Sequence, residues 1–452
     1  MSGVWRGPAG VAGALLAGVL IAAAVPAADG DAATVTARGA ERTVRLTGPF
    51  TPSFLPVKVL SFTGLSSVYC TSADNCLAVG AKQANRNAAE LNQVLSWNGS
   101  KWRLSPVPQP GGRGHGGFGT LDSVRCLTAR DCWAVGYYAK GSADHNEALH
   151  WNGTKWSNIA TPSPDGTFGD SELNDVVCTS HANCWAVGEL GPQGATQSEA
   201  LHWNGRKWSF VLTPDQLGVS TGDTTILNAV RCSSASSCLA VGYFEAPATF
   251  ATTNESLRWN GKKWSRVKTV DPGGTTSDSA NELTGLACSS AVNCWAAGSI
   301  GTVSTQTSLN EILQWNGKRW FEVQIPDPNG DGTGATNALI WDTCLSARDC
   351  WAVGTDGPDN SSTVDLRNQA LHWNGAKWSE VKVPDPDGAA GVNVLLGARC
   401  ATADNCWAVG VQELCGNLLN EILHWNGEKW FSADGEIDAS RPVPQCPEEP
   451  RP

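Results

Sequence analysis

The chain alternates short apolar segments with polar turns, and one such arrangement returns seven times between residues 62 and 434. In the second copy, residues 121–126 and 132–136 read as two apolar strands around a polar turn. Residues 147–151 and 155–157 form a second pair of strands, separated by an Asn-Gly turn. Asn-Gly between apolar runs is the strongest short-range hairpin signal, because both residues tolerate positive φ. Each copy therefore predicts two hairpins, which are four short antiparallel strands.

Repeats of about 50 residues with four strands each are typical of β-propeller blades. We therefore predict an all-β fold, a seven-bladed β-propeller with four antiparallel strands per blade, over residues 62–434. A β-sandwich or a β-helix is the alternative. The repeat favours the propeller, because a sandwich would not repeat itself seven times and a β-helix has a shorter repeat.

Two cysteines flank the first turn of every copy with the spacing Cys-x5-Cys, which predicts one disulfide within each first hairpin. A zinc site is excluded, because each pair supplies two ligands and nothing near it supplies two more. The two remaining cysteines are predicted to pair with each other and to tie the Pro-rich tail, residues 435–452, to the last copy. The predicted pairs are Cys70/Cys76, Cys126/Cys132, Cys178/Cys184, Cys232/Cys238, Cys288/Cys294, Cys344/Cys350, Cys400/Cys406 and Cys415/Cys446.

The N-terminal segment, residues 1–33, has the pattern of a secretory signal peptide, with a basic start, an apolar middle and a small-residue cleavage site near 27–33. A retained membrane anchor is the alternative, although the apolar stretch is short for a span. Residues 34–61 form a lead segment. Because disulfides persist in oxidising compartments, the cysteines and the leader together predict a secreted, extracellular protein with no stable membrane insertion after cleavage.

The formal net charge is −11. An acidic chain without a run of Lys or Arg repels phosphate backbones, so we expect no nucleic-acid partner. We also expect a monomer.

The strand ending in Ala-Val-Gly and the Gly-containing turn ending in Trp make these copies resemble propellers built from bacterial-neuraminidase-like repeats, including the photosystem II assembly factor type. The full sialidase Asp-box is absent, and Asn-Gly-x-[Lys/Arg]-Trp stands in its place. Chains with a Cys pair and a Trp-Asn-Gly hairpin in each repeat look like secreted proteins of high-GC actinobacteria. The resemblance implies the propeller fold and leaves the activity open.

Tryptophans recur too evenly to mark one binding site, so we assign them to packing between blades. The position after the second cysteine holds Trp in five copies and Leu77 or Leu239 in the other two, as an apolar core position would. Trp341 is different, because it occurs once, near the start of a strand. It is the candidate for stacking on a ligand.

Candidate chemistry is sparse. Asp122, Asp175 and Asp342 lie near the start of predicted first strands and are the candidate catalytic carboxylates. Sialidase chemistry would also require an arginine cluster and a tyrosine nucleophile, and the four tyrosines show no such arrangement.

One loop has the front half of a calcium-binding pattern, with Asp327, Asn329 and Asp331 as candidate ligands. Position 12 of that pattern would need an acidic residue and is Ala338, so an ordinary Asp/Gly turn is the alternative. No other cofactor is expected.

Alternating strands place the two tight turns of each copy on one face and the longer, variable loops on the other. Variable loops on a rigid scaffold are where binding usually resides. We therefore predict a binding propeller that recognises an extracellular or cell-envelope glycan, or a protein, through its long-loop face. A carbohydrate-active hydrolase or lyase with a site at the axis is one alternative, and a structural envelope component is another.

Overall fold

The computed structural model describes residues 61–433 except 86, 165–168, 192–195, 215–222, 246–250, 358–364, 387, 389–390 and 415–416. The predicted signal peptide, most of the lead segment, the tail and the predicted Cys415–Cys446 bond lie outside the described residues. The described part of the chain contains no helical segment with the length and apolarity that membrane crossing requires.

In its described residues the protein is an all-β propeller of 28 strands in seven four-stranded blades, which confirms the predicted fold class. Each blade consists of four consecutive antiparallel strands. The strands of blades one to seven are β1 Phe62–Ser72, β2 Asn75–Gln83, β3 Glu90–Trp97, β4 Trp102–Leu104; β5 Gly119–Thr128, β6 Asp131–Lys140, β7 Ala143–Trp151, β8 Trp156–Asn158; β9 Asp170–Ser180, β10 Asn183–Gly191, β11 Gln197–Trp203, β12 Trp208–Phe210; β13 Thr224–Ser234, β14 Ser237–Glu245, β15 Thr252–Trp259, β16 Trp264–Arg266; β17 Ser279–Ser290, β18 Asn293–Thr302, β19 Thr307–Trp315, β20 Trp320–Glu322; β21 Thr336–Ser346, β22 Asp349–Gly357, β23 Arg367–Trp373, β24 Trp378–Glu380; β25 Asn393–Thr402, β26 Asn405–Leu414, β27 Asn417–Trp425 and β28 Trp430–Ser432.

The first strand of every blade is the innermost one. These seven strands contact one another in a closed ring, β1 to β5, β9, β13, β17, β21, β25 and back to β1. The three-residue fourth strands lie outermost. Both tight turns of a blade lie on one face of the disc, here the tight-turn face, and the connections between blades lie on the opposite long-loop face. The inner strands therefore surround the axis and run from the long-loop face towards the tight-turn face.

Every inner strand carries a β-bulge where it pairs with the Gly of the Ala-Val-Gly segment. In blade two, Leu121 pairs with Gly136 and Ser123 with Val135, so Asp122 is the extra residue. A Cβ added at Gly136 would lie 2.1 Å from the carbonyl oxygen of Thr120. The same approach, between 1.9 and 2.1 Å, occurs in all seven blades. The repeated glycine is thus required by the close backbone approach beside the bulge.

We expect Gly136→Ala to lower the free energy of unfolding by about 1–3 kcal/mol, because the added methyl group must displace backbone. Gly332→Ala is the matched control, since its Cβ would meet no atom within 4 Å. Urea denaturation of both variants measures the difference. Equal stability of the two variants would show that the bulge can relax.

Seven disulfides join the first and second strands of their blades, as predicted: Cys70–Cys76, Cys126–Cys132, Cys178–Cys184, Cys232–Cys238, Cys288–Cys294, Cys344–Cys350 and Cys400–Cys406. Each closes the hairpin at the tight-turn face. The described cysteines are all oxidised, which fits an oxidising compartment.

The tryptophans pack between blades, as predicted. Trp133 of blade two lies 4.9 Å from the ring of Trp203 and 5.1 Å from that of Trp208, both in blade three. Trp407 of blade seven makes the same contact with Trp97 and Trp102 of blade one, at 4.7 and 5.2 Å. The last blade therefore closes on the first through the same contact that joins four other pairs of neighbouring blades.

Leu77 and Leu239 replace this tryptophan in blades one and four, and both are buried. They belong to the apolar clusters that contain the tryptophans of the next blade. The position is thus an apolar core position, as the Leu substitution indicated.

Candidate functional site

The inner strands bring a set of charged and aromatic residues to the axis. The contributing positions lie one to three residues before the first cysteine of a pair. Because the strands run towards the tight-turn face, these positions lie along the axis in the half nearer that face. Seven residues from six blades, here called the axial cluster, make up the set: Tyr69, Arg125, Asp175, Arg231, Trp341, Asp342 and Arg399.

Three guanidinium groups lie against two aromatic rings in this cluster. The Cζ atom of Arg399 lies 4.5 Å from the ring centre of Tyr69, and that of Arg125 lies 5.5 Å from it. Trp341 has Arg125 at 5.1 Å and Arg231 at 5.3 Å. Since these residues come from blades one, two, four, six and seven, the contacts span the axis. Such distances are within the range of cation–π attraction.

Asp175 is the buried anion that holds the cluster together. Its carboxylate accepts hydrogen bonds from Ser123 Oγ at 2.6 Å, from the Val230 N–H at 2.9 Å and from Arg231 Nη1 at 2.5 Å. Arg125 Nη2 lies 3.8 Å from it, and the Asp175 side chain has no exposed surface. Asp175 therefore links blades two, three and four at the axis.

The arginines have more donors than the surrounding protein accepts. A guanidinium group carries five N–H donors. In the described part of the chain, Arg125 makes a single hydrogen bond, a long one of 3.4 Å from Nη1 to the Val124 carbonyl. Arg399 also makes one, of 3.4 Å from Nη2 to the Tyr69 hydroxyl, and its buried Nε has no acceptor there. A buried donor without an acceptor is costly, so this part of the axis is suited to an anion.

The charge balance points the same way. Burial, then the positive charges of Arg231 and Arg399, lower the pKa of Arg125 to about 9, although Asp175 opposes the shift. Burial raises the pKa of Asp342 to about 8, although Arg231 and Arg125 act in the opposite direction. Asp342 therefore keeps its proton at neutral pH. The three arginines of the cluster then have one carboxylate to balance them, that of Asp175, which pairs with Arg125 and Arg231.

The structure brings two of the three candidate carboxylates to this place. Asp175 and Asp342 both lie near Arg125 and Arg231. Asp122 lies elsewhere, in the bulge of β5 in blade two. Burial raises the pKa of Glu90 in blade one, and the charge of Asp122 adds to that shift. Trp341 also reaches the cluster, but it is 3 % exposed and two guanidinium groups lie against its ring. Its stacking on a ligand, and catalysis by any of the three aspartates, stay predictions.

The candidate calcium loop has internal partners for two of its three residues. Asp327 Oδ1 accepts the N–H of Asn310 at 2.7 Å, and Asn329 Oδ1 accepts Arg367 Nη2 at 3.2 Å. Burial raises the pKa of Asp327, the Asn310 bond opposes this, and the charge of Asp331 adds to it. No group of three or more His, Cys, Asp or Glu in the described ranges is arranged to hold a metal ion. Calcium binding stays a prediction.

The loop aspartate has counterparts in two other blades. Asp271 accepts the N–H of Asn254 at 2.8 Å, and Asp385 accepts that of Asn368 at 2.7 Å. The repetition indicates a structural cap on the third strand, which is what an ordinary Asp turn supplies.

The long-loop face has an open concavity of about 370 Å³ beside blade two, lined by the loop around His115 and by Tyr138 and Lys140. Five glycines contribute to its wall. Ligand binding through this face stays a prediction.

The arginines of the axial cluster were not among the site residues predicted from the sequence. Arg125, Arg231 and Arg399 each immediately precede the first cysteine of a pair. Aligning the copies on that cysteine would have shown three cations at one inner-strand position of an acidic chain. Tyr69 occupies the same position in blade one, so one of the four tyrosines does lie beside arginines after all.

No family model and no curated protein matches this chain. Its fold is similar to that of solved propellers. Polysaccharide lyase Uly1 is 8 % identical with a TM-score of 0.51, over 87 % of this chain and 94 % of that one.

An ulvan lyase of family PL25, solved with -[GlcA(1-4)Rha3S]-, is 11 % identical with a TM-score of 0.49, over 82 % of this chain and 93 % of that one. The GH74 xyloglucanase from Xanthomonas campestris is 12 % identical with a TM-score of 0.49, over 84 % of this chain and 54 % of the xyloglucanase. The chain thus spans about half the length of that enzyme. At such identities the likeness shows the fold alone. The protein is a seven-bladed β-propeller whose distant structural neighbours include glycan-active hydrolases and lyases.

Proposed function

We propose that this protein is an extracellular binding propeller that recognises an acidic glycan, with an anionic group of the glycan docking on the axial cluster. The observation that carries the proposal is the donor surplus of Arg125 and Arg399, each with a single long hydrogen bond in the described chain. Carboxylate and sulfate groups accept several N–H donors at once, which suits guanidinium groups. The seven disulfides fit an extracellular location.

The test is binding of the secreted protein to polygalacturonate and chondroitin sulfate, with dextran and xyloglucan as neutral comparators. We expect Arg399→Met to weaken acidic-glycan binding about thirtyfold, because a charged hydrogen-bonding partner is lost. We expect its melting temperature to stay equal or rise, because the substitution removes the repulsion between the positive charges of Arg399 and Arg125. A purely structural arginine would show the opposite stability change.

Arg103→Met is the matched control, since Arg103 is an exposed arginine of the outermost strand of blade one. It should bind like the wild type. Equal acidic-glycan binding by the wild type and Arg399→Met would rule the axial cluster out as the site. Preference for the neutral glycans would do the same.

Catalysis at the same place is the second candidate, and the state of Asp342 favours it. A carboxyl group that keeps its proton at neutral pH can act as a general acid, and burial raises the pKa of Asp342 to about 8. Incubation with polygalacturonate, followed by assays for new reducing ends and for unsaturated products, tests this. Products that disappear in Asp342→Asn would support an enzyme, and an absence of products would favour binding alone.

A further inference from the structure

The tight-turn face is basic although the chain is acidic. Its tips are the five residues between the two cysteines of each pair and the Asn-Gly-x-[Lys/Arg] segment between the two tryptophans. All of these residues are described, and together they carry twelve Lys or Arg and five Asp or Glu. The whole chain has a net charge of −11. Positive charge is therefore concentrated on one face of the disc.

The positive charge is also concentrated on one side of that face. The tips of blades three, four and five hold six basic residues and no acidic one. In blades seven and one, by contrast, Asp74, Asp404 and Glu428 offset Lys101 and Lys429. The six residues, here called the basic arc, are Arg206, Lys207, Lys262, Lys263, Lys318 and Arg319.

All six side chains of the basic arc are exposed. Each has a like charge beside it in sequence, and none forms an ion pair with a described residue. Adjacent, unneutralised charges repel one another and hold counterions, which a bound polyanion would release. Surface charge of one sign that has no internal partner is the electrostatic complement of a ligand with many charges of the other sign.

We propose that the basic arc is a docking surface for a linear polyanionic polysaccharide. The bound polysaccharide would extend from the axial cluster across the tight-turn face of blades three to five. The inference deepens the proposed function and rests on it for the class of ligand. Continuity between the two places supports it. Blade four supplies Arg231 to the axis and Lys262 and Lys263 to the arc, and the axial cluster lies in the half of the disc nearer the same face.

The composition of the face favours a polymer over a membrane surface. Among its tips, the exposed large apolar side chains are Val292 and Leu345. The first tryptophan of each pair is fixed by a hydrogen bond from its ring Nε1 to a carbonyl oxygen of the other tight turn of the blade. Trp203, for example, donates to the His181 carbonyl at 3.1 Å. Peripheral membrane binding uses inserted apolar and aromatic side chains as well as basic ones.

A pair of triple variants tests the proposal. The arc variant is Lys207→Gln, Lys263→Gln, Arg319→Gln. The control is Lys101→Gln, Lys155→Gln, Lys429→Gln, which removes the same number of charges from the same repeat position in blades one, two and seven. The probes are polygalacturonate, trigalacturonate, and vesicles of phosphatidylserine with phosphatidylcholine.

We expect the arc variant to bind polygalacturonate about tenfold more weakly than the wild type, with a smaller dependence on salt, because three exposed charges are lost. The control should bind like the wild type. Trigalacturonate binding should be equal in all three proteins, because a short ligand engages the axial cluster without spanning the arc.

The outcomes separate the two proposals. Loss of polymer binding in Arg399→Met with an unchanged arc variant would overturn the arc and keep the axial site. Loss in the arc variant with an unchanged Arg399→Met would keep the arc and overturn the axial site. If the arc variant and its control bound polygalacturonate equally weakly, the loss would come from net charge alone, and the proposal for the basic arc would be overturned. Wild-type binding to the vesicles and not to polygalacturonate would also overturn it.

Discussion

Replacing Asp175 by asparagine is expected to destabilise the propeller by about 3–5 kcal/mol, because it removes one partner of a buried ion pair and leaves the other uncompensated. The carboxylate has no exposed surface and lies 2.5 Å from Arg231 Nη1. It also accepts the Ser123 hydroxyl and the Val230 N–H. An asparagine side chain has a single oxygen to serve these donors and carries no charge. Chemical denaturation at neutral pH measures the loss.

Asp342→Asn is the matched control, since it makes the same substitution in the same cluster. Burial raises the pKa of Asp342 to about 8, so the native residue is already neutral at pH 7. The unfolded chain would ionise it, whereas asparagine needs no proton to be buried. We therefore expect Asp342→Asn to keep or raise the stability. Similar losses in both variants would contradict the division of roles between the two carboxyl groups.

Raising the pH from about 5 to 8 is the second change with a large expected effect, and we expect it to lower the stability by several kcal/mol. Burial, followed by the charge of Asp122, raises the pKa of Glu90 to about 8. Burial raises the pKa of Asp342 to about 8 and that of Glu282 to about 7. All three values lie above those of the unfolded chain.

The sign follows from proton binding. Between the unfolded and the folded pKa, the native state keeps a proton that the unfolded state has released. Each such group then removes about 1.4 kcal/mol of stability per pH unit. The contribution is complete below about pH 4 and is lost as the pH rises through the folded pKa.

Thermal melts between pH 4 and pH 9 check this expectation. The melting temperature should fall across the range, and the double variant Glu90→Gln, Asp342→Asn should flatten the curve. A melting temperature that rises between pH 5 and 8 in the wild type would contradict it.

The fold was predictable because each blade is specified locally. The Asn-Gly turns and the Cys-x5-Cys spacing act within one copy. The apolar residue after the second cysteine, which is Trp133 in blade two and Leu77 in blade one, acts between adjacent copies. A period that returns seven times multiplies these signals. The innermost strand could not be identified this way, because the hairpin pattern does not depend on which end of the blade faces the axis.

The axial cluster was hidden for a physical reason. Tyr69, Arg125 and Arg399 share one repeat position, but a repeat position does not show which strand lies at the axis. Their contacts with one another and with Trp341 form only when the ring closes. Asp122 does not belong to this set. It lies four residues before Cys126, one residue outside the axial positions, in the bulge of β5, and its charge acts on Glu90 of blade one.

The closure of the ring has a consequence for the order of the blades along the chain. Blade seven joins blade one through Trp407 and its two partners, in the geometry used elsewhere in the disc, and Leu418 bridges to Phe62. Every blade is made of four consecutive strands, so among the described strands no blade combines strands from both ends of the chain. The starting blade is thus arbitrary. A circularly permuted chain, opened at the connection between two other blades and joined between blades seven and one, has the same contacts available and should form the same disc.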